Sequence, residues 1–485
     1  MQFSNKFPYD GKRILVLGCG GVCQCTLPLL LRHIDIRPEN ITVIDMVDNR
    51  EAIADALAQG VQYVQEKITR EKFRSQFSRY IGPGDLILDL SWNLDTVELL
   101  DWCHANQVRY LNTSVELWDP YAGADELPVT ARTLYHRQME LRKLVAKWGR
   151  NDAPTAVVDH GANPGLVSHF TKMGLIDIAH RLLAEHPSDR RARQLHEALE
   201  QKQFNRLAHL LGVKVIHISE RDTQISCQPR EDGEFVNTWS IEGFYEEGIA
   251  PAEMGWGTHE KMLPHDAWQH KTGPRNQICL ERFGIDTFVR SWVPCGEIVG
   301  MVVRHGEAFS ISDTLTVYDA TGKALYRPTV HYAYCPSDAA IESLHEMRTN
   351  NYTLQPKHRL MNDDIVSGRD ELGCLLMGHD FKSWWIGSLL DIEETRRLVP
   401  GRQNATTLQV ACSVLGTVAW MIRNPSRGFN LPDQLPHEEI MEIALPYLGP
   451  FVSQPVDWSP GDSDSWQFGD FEVEAEEFAC QTANR

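Results

Sequence analysis

A glycine loop near the N-terminus has the residue types and spacing that bind a dinucleotide. It reads Leu17-Gly18-Cys19-Gly20-Gly21-Val22-Cys23 and follows a short apolar run. The first glycine permits a tight turn, the second lets the backbone approach a pyrophosphate, and the following helix offers free N–H groups to that anion. Cys23 stands where the usual pattern has its third glycine, and it is small enough for close helix packing. We therefore predict cofactor contacts from Gly18, Gly20, Gly21 and Val22.

An acidic residue, Asp45, ends the second predicted strand 25 residues after Gly20. A carboxylate at this place accepts hydrogen bonds from the adenosine ribose and repels a 2′-phosphate, so NAD is predicted in preference to NADP. The ends of two later strands add candidates for the ribose and nicotinamide: Ser91, Asn93, Thr113 and Ser114. Two alternatives stay open, because the glycines also suit a Rossmann-like turn without a ligand, and Ser91 or Asn93 also suits a helix cap.

A second stretch, residues 220–260, has the composition of a site for cationic amines. It holds ten acidic residues and only two basic ones, with Trp239 among its aromatic residues. Carboxylates beside aromatic faces bind an ammonium group through charge pairing and cation–π attraction. Trp239 alternates with Asn237 and Ile241 on a predicted strand, which aims it into a cleft. The alternative is a solvated acidic face with an ordinary core tryptophan.

Two further residues have suitable chemistry at predicted strand ends. Asn163 precedes Pro164 after the sixth strand, where its amide faces the nicotinamide or a substrate amine. The alternative is a capped start of a long helix near Gly165. His305 follows the apolar strand 299–303, and a histidine there can move protons near neutral pH. The alternative is an ordinary surface histidine.

The elements that must position these residues change in character along the chain. In the first third, short apolar strands alternate with amphipathic helices, which predicts a parallel sheet covered on both faces. Six such strands fit the Rossmann-type doubly wound α/β fold: 13–17, 41–45, 61–64, 86–90, 109–112 and 155–159. The later sequence is rich in strands, including 213–218, 223–228, 237–241, 297–303 and 315–318. We therefore predict a second α+β domain with a mixed or antiparallel sheet.

These patterns divide the chain into three parts. We predict an NAD-binding Rossmann domain over 1–160 and an α+β domain for substrate binding and dimerisation over 161–395. The remaining residues, 396–485, form a helical segment and an acidic tail that we expect to pack back on the core.

Composition and charge limit the class of protein. The chain has 485 residues and a formal net charge of −19, which argues against nucleic acid as a partner because phosphate neutralisation needs clustered Lys and Arg. We see neither an apolar run that spans a membrane nor a signal-peptide core, so we expect no membrane partner and a cytoplasmic location. The eleven cysteines are scattered without a CxxC pair, and we expect neither a metal site nor a disulfide framework.

Five fragments extend beyond these general patterns. They are Gly18-Cys19-Gly20-Gly21-Val22, Asp159-His160-Gly161-Ala162-Asn163-Pro164-Gly165-Leu166-Val167-Ser168, Ser219-Glu220-Arg221-Asp222-Thr223-Gln224, Asn237-Thr238-Trp239-Ser240-Ile241-Glu242-Gly243 and Gly255-Trp256-Gly257-Thr258-His259-Glu260. Together they resemble bacterial homospermidine synthase, a family of the saccharopine-dehydrogenase-like group, over almost the whole chain. The resemblance implies a tightly held NAD that is reduced and re-oxidised within one turnover. We also expect a homodimer.

The resemblance implies putrescine and spermidine as substrates. One amine of putrescine is oxidised to an imine that loses ammonia, and a second putrescine condenses with it to a Schiff base. The stored hydride then reduces this Schiff base to sym-homospermidine. Spermidine can be the first donor, in which case 1,3-diaminopropane is released.

The resemblance also implies roles for individual residues. Trp239 stabilises cationic amines in a central pocket, while Glu220 and Asn163 hold the reacting amine near the nicotinamide, with Asp95 contributing there. An outer carboxylate for the second amine is Glu247, with Glu246 as a rival assignment. His305 lies near the substrate entrance, and the segment 362–364 adds carboxylates.

Two other functions stay open at this point. The first is another saccharopine-dehydrogenase-like oxidoreductase, such as a carboxynorspermidine- or saccharopine-forming enzyme, which needs a basic grip for a substrate carboxylate. The second is a Rossmann-type NAD sensor that binds partner proteins. Such a sensor does not need Trp239 and Glu220 in a cleft beside the nicotinamide.

Overall fold

The first sheet of the protein is parallel throughout. The computed structural model describes residues 6–148, 153–401, 403–461 and 465–474. In spatial order the strands of this sheet are Phe429–Asn430, Ala156–Val157, Arg109–Asn112, Leu86–Asp89, Ile14–Leu17, Ile41–Asp45 and Gln62–Gln65. The six strands from the first third of the chain have the doubly wound order, so the predicted Rossmann-type fold is confirmed. A strand from the C-terminal third extends the sheet at one edge.

Helices cover both faces of this sheet, which is why its strands are apolar on both sides. Their bounds are Gly21–His33, Ala54–Ala58, Phe73–Phe77, Thr96–Ala105 and Leu134–Trp148. The second and third of these helices have five residues each. A short 3-10 turn, Glu51–Ile53, precedes the second helix.

The second sheet is mixed and has eleven strands, as the predicted α+β domain requires. Its main path is Ala267–Gln269, Gln277–Phe283, Pro251–Gly255, Thr329–Cys335, Val215–Asp222, Arg369–His379, Lys382–Asp391 and Phe451–Val456. A branch adds Phe288–Val293, Gly296–Met301 and Glu472–Val473. The two central strands, Thr329–Cys335 and Val215–Asp222, run parallel, and the remaining pairs run antiparallel.

The long hairpin Arg369–His379 and Lys382–Asp391 is absent from the sequence predictions. Glycines and charged residues interrupt the apolar pattern of this hairpin. Gly373 shows the structural reason for one of these interruptions. A Cβ atom on Gly373 would lie 2.3 Å from the ring of Trp385 on the opposite strand. The glycine therefore makes room for a large buried side chain, a cross-strand requirement that local alternation does not reveal.

The helices of the second half are Leu166–Glu185, Ala192–Glu200, Phe204–Leu211, Ile241–Gly248, Gly306–Thr314, Asp338–Thr349, Ile392–Leu398, Ala405–Arg423, His437–Ala444 and Phe468–Phe471. The predicted strand 237–241 is wrong. A strand ends at Asn237, and the helix Ile241–Gly248 begins after Ser240, whose side chain accepts a hydrogen bond from the N–H of Gly243. Trp239 therefore lies in the turn between a strand and a capped helix.

The C-terminal third packs on both domains. Its helix Ala405–Arg423 is long and apolar enough to cross a membrane, but it is 89% buried inside the protein, where it packs on Gly21–His33. Further along, Trp466 and Phe471 are buried and Glu472–Val473 extends the second sheet. The rest of the predicted acidic tail, 475–485, lies outside the described residues.

Candidate active site

The glycine loop has the geometry of a phosphate cradle. Gly18 has a φ of +84°, and a Cβ atom there would lie 2.8 Å from the carbonyl oxygen of Leu90, so only glycine fits. A Cβ on Gly20 would meet nothing within 4 Å, which leaves open space in front of the loop. The helix Gly21–His33 starts directly after Gly20 without a side-chain cap. Its N-terminal N–H groups therefore suit an anion such as a pyrophosphate.

Asp45 braces the glycine loop as well as ending its strand. One carboxylate oxygen accepts a hydrogen bond from the N–H of Cys19 at 2.6 Å, and the other accepts from the N–H of Val47 at 2.8 Å. A carboxylate oxygen has two lone pairs, so acceptor capacity remains for ribose hydroxyls. Its negative charge beside the loop still disfavours a 2′-phosphate.

The four polar candidates at the neighbouring strand ends have different surroundings. The Oδ1 atom of Asn93 is buried without a hydrogen-bond partner among the described residues. Ser91 donates to Asp89 at 2.6 Å, and Ser114 donates to Glu116 at 2.8 Å. Thr113 lies beside the loop that follows the sixth strand, since a Cβ atom on Gly161 would be 3.4 Å from its side chain.

The helix that follows these candidates is capped by another residue. Asp95 accepts a hydrogen bond from the N–H of Glu98 at 2.9 Å, so the capping alternative for Ser91 and Asn93 is wrong. The unpaired amide oxygen of Asn93 beside the open glycine cradle fits a ribose or nicotinamide donor. The described residues at this edge thus fit a dinucleotide.

Asn163 and Glu220 meet in a buried hydrogen-bond triangle. The amide nitrogen of Asn163 donates to Oε2 of Glu220 at 2.5 Å and to the hydroxyl of Tyr332 at 2.6 Å. The hydroxyl of Tyr332 donates in turn to the same Oε2 atom. Glu220 lies on the central strand Val215–Asp222, while Asn163 lies in the loop after the sixth Rossmann strand. The triangle therefore joins the loop at the edge of the Rossmann sheet to the second sheet.

Two more carboxyls lie beside Glu220. Asp222 is on the same strand, and Asp370 comes from the adjacent strand Arg369–His379. Burial raises the pKa of Glu220 to about 7, against the lowering effect of its hydrogen bonds with Tyr332 and Asn163. Burial and the charges of Glu220 and Asp222 hold the pKa of Asp370 well above its usual range. We call Asn163, Glu220, Tyr332 and Asp370 the inner site.

Sequence reasoning missed two members of the inner site. It placed further carboxylates at 362–364, but Asp364 is held by Arg359 at 2.6 Å and by Ser226. The carboxyl that reaches Glu220 is Asp370, a few residues further along. Tyr332 carries no local signal of function, because a tyrosine on a strand is most simply a core residue.

Trp239 forms part of an aromatic wall next to these carboxyls. Its indole N–H donates to the hydroxyl of Tyr334 at 2.8 Å, and its ring lies 5.3 Å from that of Phe244. Tyr334 stacks on Tyr332 with ring centroids 5.0 Å apart. Trp239 lies in a turn, since the strand predicted for it does not form, and its position at a cleft stays a prediction.

The neighbouring glutamates 246 and 247 have opposite environments. Glu246 pairs with Arg137 at 2.6 Å and with Arg304, and these two guanidinium groups lower its pKa to about 2. Glu247 makes no ion pair or hydrogen bond among the described residues, although the charge of Arg304 acts on it, and it lines a small pocket with Pro164. Burial holds its pKa well above the usual range. Of the two, only Glu247 has a carboxyl available for a ligand.

The ion pairs of Glu246 predict a stability effect. We expect Glu246→Gln to lower the free energy of unfolding by about 3–5 kcal/mol, because it leaves Arg137 and Arg304 buried without a counter-charge. The surface variant Glu140→Gln, which loses only the exposed pair with Lys143, should change it by less than about 0.5 kcal/mol. Denaturant unfolding at pH 7 measures both, and equal effects would contradict the importance of the buried pair.

The ion pairs of Glu246 also make the free energy of unfolding depend on pH. The pKa of Glu246 is about 2 in the folded protein, below its value of roughly 4.3 in an unfolded chain. Its contribution to stability is therefore fully present above the unfolded pKa and is lost as the pH falls through about 2.

His305 is buried, which corrects the surface alternative. It directly precedes the helix Gly306–Thr314, and its ring lies 4.5 Å from that of Tyr332. Burial lowers the pKa of His305 to about 4, so it is neutral at pH 7. Its ring nitrogens lie beside backbone carbonyl groups, with Nδ1 at 3.2 Å from the carbonyl oxygen of Arg304. A neutral imidazole at this place can accept or donate a hydrogen bond without repelling a cation.

Several acidic residues of the 220–260 stretch have structural roles instead. Glu253 accepts hydrogen bonds from the N–H groups of Leu134 and Tyr135 and so caps a Rossmann helix. Glu260 accepts from Thr329 at 2.6 Å and from the N–H of Phe468 at 3.1 Å, which fastens the C-terminal segment. The solvated-face alternative is thus wrong for these two, and so is a direct role in binding amines.

A cavity of about 600 Å³ lies between the Rossmann half of the chain and residues 246–304, and none of the four inner-site residues lines it. Asp95, predicted to contribute near the reacting amine, lines this cavity and caps a helix. Among the described residues it makes no hydrogen bond to the inner site. The cavity shares Glu116, Arg137 and Arg304 with the small pocket that Glu247 and His305 line. Within the described ranges, no cluster of three His, Cys, Asp or Glu side chains is arranged to hold a metal ion.

Comparison with known proteins agrees with this architecture. Residues 14–157 match the family model for the saccharopine dehydrogenase NADP binding domain, and residues 161–456 match the one for the saccharopine dehydrogenase C-terminal domain. The homospermidine synthase of Blastochloris viridis is 39% identical over 473 residues, covering 94% of this chain and 96% of the relative. That of Mesorhizobium japonicum is 37% identical over 475 residues, covering 94% and 95%. The crystal structure of homospermidine synthase from Legionella pneumophila in complex with NAD has a TM-score of 0.85 and 35% identity, covering 97% of this chain and 99% of that one.

Proposed function

The chain belongs to the homospermidine synthase family of NAD-dependent enzymes, and we propose from this premise that it joins two putrescines into sym-homospermidine and releases ammonia. Spermidine serves as an alternative first donor, with 1,3-diaminopropane as the leaving amine. The observation that supports these substrates best is the inner site, where the carboxyls of Glu220 and Asp370 lie beside an aromatic wall. A diamine at neutral pH is a dication, and removing it from water needs such paired carboxylates.

The same surroundings argue against a substrate with a carboxylate. The two arginines nearest the small pocket, Arg137 and Arg304, are both committed to Glu246. Arg221, next to Glu220 in sequence, turns away to Asp338 and to the carbonyl oxygen of Pro336. A saccharopine-forming enzyme needs a free basic group for its amino-acid substrate. Among the described residues, neither arginine of the small pocket is free, and Arg132, whose Nε has no partner, lines only the larger cavity.

The residues of the chain have separable tasks in this reaction. Bound NAD supplies the chemistry of removing a hydride from the amine-bearing carbon and later returning it. An ammonium cannot give up a hydride, so a base must first take its proton. Glu220, with a pKa of about 7, exchanges a proton readily at neutral pH. Trp239 stabilises the cationic amine and iminium by facing them with its ring. We assign the far ammonium of the second amine to Glu247.

Incubation with NAD and putrescine, followed by mass spectrometry of the amines, tests this function. The expected product joins two aminobutyl units with loss of one ammonia and without accumulation of NADH. Net NADH formation indicates an ordinary amine dehydrogenase instead. Unchanged putrescine beside bound NAD indicates a sensor.

Cofactor choice, location and assembly complete the proposal. The carboxylate of Asp45 beside the glycine loop supports NAD over NADP. A cytoplasmic location agrees with the cysteines, because those in the described ranges are all free thiols. A homodimer stays our prediction, which sedimentation of the purified protein can test.

A further inference from the structure

We propose that Tyr332 is a positioning residue for amine oxidation. Its hydroxyl donates to one oxygen of Glu220, which keeps this carboxylate ionised and turned with its other oxygen toward the substrate amine. The inference rests on the proposed function, because it assigns the residue to the proton-removal step of that reaction.

The hydrogen-bond triangle carries the geometric part of this inference. Oε2 of Glu220 receives two donors, the amide of Asn163 at 2.5 Å and the hydroxyl of Tyr332. The same hydroxyl accepts from the Asn163 amide at 2.6 Å, so the three groups fix one another. Because two donors fill both lone pairs of Oε2, we assign the acceptance of a proton from the amine to Oε1. The hydrogen bond from Tyr332 thus determines which carboxylate oxygen of Glu220 accepts the proton.

The ring of Tyr332 is held rigidly enough for this task. The residue is 4% exposed and lies between the rings of His305 at 4.5 Å and Tyr334 at 5.0 Å. Strand Thr329–Cys335 carries Tyr332 and Tyr334 side by side with the strand of Glu220. A buried hydroxyl in such a stack has one orientation available, so its donor direction is set before substrate binds.

The charges around Glu220 explain why a donor is needed. Burial and the charge of Asp222 on the same strand disfavour a negative charge on Glu220. Tyr332 and Tyr334 also lie near it, and neither is a cation. Hydrogen bonds with Tyr332 and Asn163, together with one from Asp370 on the adjacent strand, therefore favour the ionised carboxylate.

Tyr332 itself stays a donor over the working pH range. Burial and the charge of Glu220 hold the pKa of its hydroxyl well above 10. Removal of this hydroxyl leaves Glu220 with fewer donors beside the same two carboxyls, so its pKa must rise.

The variant Tyr332→Phe tests the inference, with Tyr326→Phe as a matched control. Tyr326 is also buried, and its hydroxyl donates to the carbonyl oxygen of Val213 at 2.7 Å, away from the inner site. We expect the acid limb of kcat/KM in Tyr332→Phe to move up by about one pH unit. At pH 7 we expect kcat to fall about fivefold, while the KM for putrescine changes less than about twofold. Tyr326→Phe should keep the wild-type pH profile.

A second readout does not depend on turnover. The infrared carboxylate band of Glu220, identified as the wild type minus Glu220→Gln difference, should titrate at higher pH in Tyr332→Phe than in wild type. An unchanged titration, or equal shifts in Tyr332→Phe and Tyr326→Phe, would overturn the role of Tyr332 while leaving the proposed function intact. Wild-type protein that makes no homospermidine overturns both, and it is recognised separately because it needs no variant.

Discussion

Replacement of Trp239 by alanine is expected to lower homospermidine formation about 30-fold while NAD stays bound. A desolvated cation–π contact contributes about 2 kcal/mol, and each 1.4 kcal/mol is a tenfold change in rate or affinity. The substrate amine and the iminium both carry positive charge, so the loss affects more than one step. The glycine loop lies on another sheet and does not depend on this side chain. Product formation by mass spectrometry and NAD content by absorbance measure the two effects separately.

Trp268→Ala provides the matched control for this variant. Trp268 lies on the outer strand Ala267–Gln269 and is 51% exposed. Its removal should leave homospermidine formation within about twofold of wild type. Trp239→Phe should retain an intermediate rate, since a phenyl ring binds cations more weakly than an indole. Normal output from Trp239→Ala would refute the cation–π role.

Substitution of Glu220 by glutamine is the second large effect that we expect. The amide keeps the size of the side chain but cannot accept a proton, and general-base catalysis typically contributes about 10²–10⁴-fold. The wild-type rate should also fall as the pH drops below about 7, because protonated Glu220 no longer removes a proton from the amine. In Glu220→Gln this dependence should disappear together with most of the activity.

The control for the charge change is Glu281→Gln. Glu281 is exposed on the strand Gln277–Phe283, so its substitution removes one charge without touching the inner site. Steady-state rates across the pH range compare the two variants. If Glu220→Gln turned over putrescine at the wild-type rate, Glu220 would have no place in the proton-removal step.

The Rossmann half could be predicted from the sequence because its signals are local. Each strand ends in a turn and is followed by an amphipathic helix, so alternation alone identifies the fold. The glycine loop and Asp45 lie within one such unit, which is why their positions agree with expectation. The structure adds that Asp45 also accepts the N–H of Cys19.

The inner site could be predicted only in part because its members meet through long-range pairing. Glu220 and Asp370 are diagonal neighbours on adjacent strands that lie far apart in the chain, where Asp370 pairs with Asp222. Tyr332 reaches Glu220 from a third strand. Hydrophobic periodicity gives the type of an element but not the partner of a strand, so neither contact follows from the sequence.

Trp239 and Glu253 show which structural features composition alone does not predict. The acidic and aromatic stretch predicts an amine site, but it does not separate ligand-facing carboxylates from helix caps. Glu253 has the same chemistry as Glu247, yet backbone N–H groups occupy both its oxygens. The strand predicted around Trp239 fails because Ser240 caps a helix directly after it. Tertiary contacts decide these cases.

The central claim is that NAD serves as an internal hydride store. The most direct measurement uses putrescine deuterated at both terminal carbons, incubated with the enzyme, NAD and an excess of unlabelled NADH. If the hydride removed from the first amine is returned within the same turnover, mass spectrometry will find homospermidine that retains every deuterium of both donors. A product that has lost one deuterium would show exchange with free NADH and would contradict the account.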